Sequence, residues 1–103
     1  MPGVDRGLPR PLDIVVTGLG AVTPLGLDAQ STWDAAVAGR SGVDFIQAFD
    51  PTGFPVRIAS EVKGFEAETV VGPKDARRLE RNVVLAVAAA REAWTDAGVE
   101  GVD

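Results

Sequence analysis

The sequence predicts an α/β fold, on three observations. Residues 13–17 carry consecutive β-branched side chains at Ile14, Val15 and Val16, the pattern of a strand buried on both faces, as in a parallel sheet. Residues 73–98 form the longest periodic segment and read as a single helix of roughly seven turns at about 3.6 residues per turn. Val56, Ile58, Ser60 and Val62 alternate with Arg57, Ala59 and Glu61, which predicts a second, half-exposed strand near an edge. A composition of 46% apolar and 24% charged residues over 103 positions suits one small globular domain.

The elements follow in chain order. Residues 1–12 hold Arg6, Arg10 and three prolines with no apolar core, so they read as a flexible lead-in and not as a signal peptide. After the strand at 13–17 comes the glycine-rich stretch 18–26. A dinucleotide cradle of the G-x-G-x-x-G kind would need its third glycine where Thr23 stands, and Pro24 would interrupt the receiving helix. A structural turn is the expectation. Residues 28–38 predict a short helix, with Asp28 or Ser31 as its cap, Ser31 and Asp34 as a capping box, and Trp33, Ala36 and Val37 as its apolar, core-facing side. Gly39 stops it. Residues 43–55 have no clean period. Phe45, Ile46, Phe49 and Phe54 are expected to tuck against the body, with Asp50 and Pro51 in a turn. Residues 63–72 read as a connector.

In the long helix, Pro73 suits the first position and Gly98 the residue just past the end. Leu79, Val83, Val87, Ala90, Trp94 and Ala97 share one face, and residues 83–90 are apolar without a break. Such a helix needs cover on most sides. Lys74, Arg77, Arg78 and Arg81 recur at i, i+3, i+4 and i+7 on one face at the start of the predicted helix. Cations there oppose the helix dipole, and Asp75 and Glu80 offset them only in part. Two explanations stand at this point: a solvated charged face, and a docking patch for an acidic partner.

Other chemistry is excluded by composition. A net charge of −5 opposes general nucleic-acid binding. No apolar run approaches the 18 or more residues of a membrane span. Without cysteine or histidine the chain has no disulfide, no thiolate or imidazole ligand and no cysteine nucleophile. No metal and no cofactor is expected, and a cytoplasmic location is the default. Two strands and two helices supply too little sheet to cover the apolar helix. Residues 13–103 are therefore expected to be one incomplete domain.

In order along the chain, Ile14-Val15-Val16-Thr17-Gly18-Leu19-Gly20-Ala21-Val22-Thr23-Pro24-Leu25-Gly26, Ser31-Thr32-Trp33, Ala38-Gly39-Arg40-Ser41-Gly42, Phe49-Asp50 and Phe54-Pro55-Val56 resemble the opening of the β-ketoacyl-[acyl carrier protein] synthases, the condensing type II ketosynthases. Lys74-Asp75-Ala76-Arg77-Arg78-Leu79 and Ala89-Ala90-Arg91-Glu92-Ala93 through Asp96-Ala97-Gly98 continue the resemblance in register. Each motif alone is weak; their order makes the resemblance specific.

The resemblance implies the N-terminal part of a thiolase-like fold of five layers, α-β-α-β-α, in a homodimer. It also implies decarboxylative Claisen condensation of an acyl thioester with malonyl-carrier protein, in fatty-acid or polyketide synthesis. In that chemistry a cysteine holds the acyl chain and two histidines support decarboxylation and the oxyanion. None of the three is in this chain, so by itself it is expected to be inactive. The family docks its acidic acyl carrier protein partly through basic residues at the start of this helix, and Lys74, Arg77 and Arg78 fall on those positions. Asn82 departs from the family, which commonly has Phe there. That leaves open a noncatalytic, chain-length-factor-like partner subunit of a polyketide ketosynthase. A nucleotide-binding oxidoreductase built on Gly18 and Gly20 is the third reading.

Overall fold

The alanine-rich run that follows Arg81 has the highest helix propensity in the chain. In the computed structural model, which describes Gly7, residues 13–99 and Gly101, it forms the principal helix. Six elements appear in chain order: α1 (Ala29–Val37), β1 (Val43–Phe45), β2 (Ile58–Ser60), α2 (Glu68–Val71), α3 (Pro73–Arg78) and α4 (Arg81–Ala97). The lead-in expected at residues 1–12 lies, Gly7 apart, outside the described residues.

The single helix expected over residues 73–98 is two helices. Leu79 (φ −89°, ψ 145°) and Glu80 (φ −70°, ψ 152°) are extended and separate α3 from α4. Hydrophobic periodicity does not register a two-residue break that leaves both flanking segments helical. The ends match expectation: Pro73 lies in the first turn of α3, and Gly98, at φ 68°, caps α4 in the left-handed region.

Asp28 caps α1. Its carboxylate accepts the Ser31 N–H at 2.7 Å, and its own N–H donates to Ser31 Oγ at 3.4 Å. The box is thus Asp28 with Ser31, not Ser31 with Asp34; Asp34 instead accepts from Gln30 Nε2 at 2.9 Å. Gly39 follows the helix at φ 74°. The aperiodic stretch after it contains β1, which pairs antiparallel with β2 in the register Val43↔Ser60, Asp44↔Ala59, Phe45↔Ile58. Phe45, Phe49 and Phe54 are exposed, not tucked in. Phe49 and Phe54 pack edge to face, centroids 5.8 Å apart; the turn between them, expected at Asp50 and Pro51, is centred on Thr52 and Gly53 and closed by the Phe54 N–H on the Pro51 carbonyl at 3.0 Å. The connector at 63–72 holds the short helix α2.

Residues 13–17 do not form the expected strand. Ile14, Val15 and Val16 are 98, 71 and 80% exposed, because no strand among the described residues lies beside them to complete a ladder. Trp33, read as a core residue, is 66% exposed: no described residue covers it. Among the described residues only Ala35 and Val84 are fully buried. Of the apolar face expected over residues 73–98, Leu79, Val83 and Trp94 remain exposed. The radius of gyration is 18.6 Å, where a compact domain of this length would have about 13 Å. No described helix is long and apolar enough to cross a membrane.

What the chain does cover is the adjoining stripe of α4. The glycine-rich stretch lies along Ala89, Ala93 and Ala97, which recur every four residues on one stripe. A Cβ on Gly18 would fall 2.2 Å from the Ala93 carbonyl oxygen, and one on Gly20 only 1.9 Å from that of Ala89. These two glycines are required by the close approach of two backbones.

Two consequences are measurable. Gly20→Ala must push the segment off α4, and should lower the urea midpoint by the equivalent of about 1–3 kcal/mol, as overpacking typically does. The hydrogen bonds from the Ser31 side chain and backbone hold the Asp28 carboxyl below its ordinary range. Folding therefore favours its ionised form, a contribution present above the unfolded pKa and lost as pH falls through the lower folded one. In an acid titration followed by circular dichroism, Asp28→Asn, which keeps a capping oxygen without the charge, should flatten the part of the acid limb due to α1.

Candidate functional site

The basic cluster sits on α3. Gly72, at φ 83° and ψ 161°, turns the chain into the helix, and its carbonyl accepts the Ala76 N–H at 2.9 Å. The Leu79 N–H closes the helix onto the Asp75 carbonyl at 2.8 Å. Lys74, Arg77 and Arg78 are all exposed. Arg78 lies 3.9 Å from the Asp75 carboxylate, an exposed pair of the kind that contributes little. Lys74 and Arg77 have no ion pair among the described residues.

The break at Leu79 and Glu80 changes the electrostatic explanation of this cluster. Arg77 and Arg78 belong to the last turn of a short helix, where the dipole favours cations, and Asp75 to the first, where it favours anions. Helix stability thus accounts for more of the charge than the sequence suggested. Arg81 leaves the cluster altogether. It opens α4, whose first turn has no acidic residue, and Glu80 makes no ion pair among the described residues. Its Nη2 donates to the Val62 carbonyl at 2.9 Å, and its guanidinium lies 5.6 Å from the Phe65 ring centroid. The three cations on α3 remain together; the fourth turns inward to the connector. Asn82 is exposed in the first turn of α4.

The glycine-rich segment is the second place where sequence suggested chemistry. Its turn is confined to residues 23–26, where Thr23 and Gly26 exchange backbone hydrogen bonds of 2.8 and 3.2 Å. Upstream, the amides a phosphate would need are already used. The Leu19 N–H donates to Asp96 Oδ2 at 3.0 Å and the Ala21 N–H to Glu92 Oε1 at 2.8 Å. Glu92 also accepts the N–H of Ala29, the first residue of α1, at 3.0 and 3.1 Å. Two carboxylates at this seat would repel a pyrophosphate, so the nucleotide-binding reading does not fit the residues present.

Glu92 and Asp96 were not singled out by sequence reasoning. A signal was available: they stand four apart, next to the Ala89, Ala93 and Ala97 stripe. Asp96 pins the glycine segment, and Glu92 pins both it and the start of α1; between α1 and α4 an open groove of about 950 Å³ has a lining that includes Leu19, Trp33, Ala36 and Thr95. No group of three or more His, Cys, Asp or Glu side chains that could hold a metal occurs among the described residues.

The family model "Beta-ketoacyl synthase, N-terminal domain" matches residues 12–103, and the chain belongs to that family. The arrangement of α1, the glycine segment and α4 is the N-terminal part of a thiolase-like α/β fold. A solved structure, the ishigamide ketosynthase/chain length factor, matches with a TM-score of 0.72 at 38% identity, over 82% of this chain and 21% of that one. Among curated proteins, a 3-oxoacyl-[acyl-carrier-protein] synthase 2 of Coxiella burnetii is 44% identical over 87 residues, covering 84% of this chain and 21% of the relative. The tetracenomycin polyketide synthase ketoacyl synthase beta subunit of Streptomyces glaucescens is 43% identical over 90 residues, covering 87% and 22%. The chain thus spans about a fifth of the length of the relatives it matches.

Removing the Glu92 carboxylate leaves the partly buried N–H groups of Ala21 and Ala29 without their acceptor. Glu92→Ala should cost about 1–3 kcal/mol in urea unfolding, the usual penalty of orphaned buried donors. Hydrogen exchange at Ala21 should accelerate in step, while exchange in the β1–β2 pair stays unchanged.

Proposed function

We propose that this chain is the N-terminal part of a 3-oxoacyl-[acyl carrier protein] synthase, in which α3 docks the acidic acyl carrier protein through Lys74, Arg77 and Arg78. The parent enzyme joins an acyl thioester to malonyl-carrier protein by decarboxylative Claisen condensation, works as a homodimer in the cytoplasm, and serves fatty-acid or polyketide synthesis. The bond-making groups are not in this chain, which has no cysteine or histidine. Its own contribution is the seat that fixes α4 in the fold and the basic helix beside it.

The observation that carries the docking reading is local. Three cations project from a six-residue helix in a chain of net charge −5, and two of them have no ion pair among the described residues. The helix dipole accounts for the position of Arg77 and Arg78, but not for Lys74 in the first turn. Charges of this kind steer an oppositely charged partner and set register more than they add affinity. The exposed apolar surfaces at Ile14, Val15, Val16 and Trp33 support the placement of residues 13–103 within a larger domain that covers them.

A second reading has specific support. Similarity to a polyketide ketoacyl synthase beta subunit and to a ketosynthase/chain length factor structure, together with Asn82, supports a noncatalytic partner subunit as the alternative. The residue at the nucleophile position decides. Incubating the complete protein with a labelled acyl thioester should leave a stable acyl-enzyme if it condenses, and none if it is the partner subunit.

Docking is tested separately. In the complete protein, neutralising Lys74, Arg77 and Arg78 together to Ala should weaken carrier-protein binding by about tenfold at low salt, from three exposed charge contacts. The salt dependence of binding, measured by titration calorimetry, should flatten as well. Unchanged affinity and an unchanged salt slope would refute the docking role.

A further inference from the structure

Arg81 is in an unfavourable place for a cation. It is the first residue of α4, no acidic side chain lies in that turn, and no side chain caps the helix. The dipole penalty that no longer applies to Arg77 and Arg78 still applies here. Something must offset it, and the contacts show what. The guanidinium donates to the Val62 carbonyl at 2.9 Å and lies 5.6 Å from the Phe65 ring centroid. Both groups belong to the stretch that leads from β2 to α2.

The surroundings give this contact leverage over α3. That helix is bounded by Gly72, whose φ of 83° and ψ of 161° only glycine adopts readily, and by the extended pair Leu79 and Glu80. The connector that carries Gly72 is tied back to α4 at two points: Val62 by Arg81, and Val70 by Arg91 Nη1. The two arginines are ten positions apart on α4, which is about 15 Å along its axis. α3 is the loop of a strap held at both ends, and Arg81 sits at the elbow where that strap returns to α4.

We propose that Arg81 is a positioning residue: through the Val62 carbonyl and the Phe65 ring it fixes the direction in which α3 presents Lys74, Arg77 and Arg78 to an acidic protein partner. The proposal rests on the docking reading above, and it separates Arg81 from the three docking charges with which its sequence spacing groups it. A lysine would keep the charge. It would lose the planar fork that reaches the carbonyl while facing the ring.

The test compares Arg81→Lys, Arg81→Ala and Phe65→Leu in the complete protein. A positioning role predicts that all three weaken binding of acyl carrier protein by about threefold or more, the scale of a lost cation–π contact. The salt slope should stay unchanged, because no docking charge is lost. Arg81→Ala combined with Phe65→Leu should be no worse than Arg81→Ala alone. Without any partner present, hydrogen exchange across residues 73–80 should quicken in each variant, while residues 84–90 keep their protection. If Arg81→Lys binds like the parent while Arg81→Ala loses affinity and flattens the salt slope, Arg81 is a docking charge and the proposal is overturned. Unchanged exchange at 73–80 in Arg81→Ala also overturns it. Full affinity in the Lys74, Arg77 and Arg78 variant would instead remove the docking reading alone, since the exchange measurement reads the elbow with no partner present.

Discussion

The constraint on which the rest of this structure depends is the seating of an extended, glycine-rich segment on one stripe of α4. Extended backbone laid against a helix has donors facing a surface that offers no free carbonyls, because the helix uses its own. Here the helix supplies side-chain acceptors instead. Asp96 takes the Leu19 amide, and Glu92 takes those of Ala21 and Ala29. The approach is close enough for this only because Gly18 and Gly20 face Ala89, Ala93 and Ala97, small against small. Glu92 also meets the N-terminus of α1, where the dipole favours a negative charge. One carboxylate therefore sets the position of two elements relative to a third.

Which parts of this were legible in the sequence follows from what kind of interaction made them. Local chemistry was readable. Pro73 and Gly98 mark real helix ends, Asp28 caps α1, a turn opens at Pro51, and the alternation around Ile58 is a strand. Long-range chemistry was not. Nothing near Leu19 announces a carboxylate 77 positions away, and β1 is defined by its partner more than by its own short sequence. The break at Leu79 and Glu80 fell between two segments that each satisfy a helical period. Of the basic face, the local part held, with Lys74, Arg77 and Arg78 together on α3. The part that assumed one continuous helix failed, and Arg81 belongs to the elbow. The strand at 13–17 shows the converse: its three β-branched residues state a preference that needs a neighbour to be realised.

The surfaces left uncovered are consistent with the family. In a layered α/β fold an inner helix is packed on both sides. In this chain α4 is packed on the alanine stripe, while Val83 and Trp94 remain exposed. The expectation that residues 83–90 are too apolar for this chain to shelter agrees with the structure, in which Val84 alone of that run is fully buried. The same division separates roles. The side of α4 facing the glycine segment is structural, and the short helix that precedes α4 carries the charge.

The spacing of the carboxylates from their amides has a consequence for biosynthesis. Ala21 and Ala29 leave the ribosome 71 and 63 residues before Glu92 does. At the usual ~5–20 residues per second, that leaves the glycine segment without its acceptors for roughly 3 to 15 s. Over that interval the amides of Leu19, Ala21 and Ala29 have only water to accept them. The order in which this seat assembles is therefore set by translation: it closes only after the second half of α4 has been made.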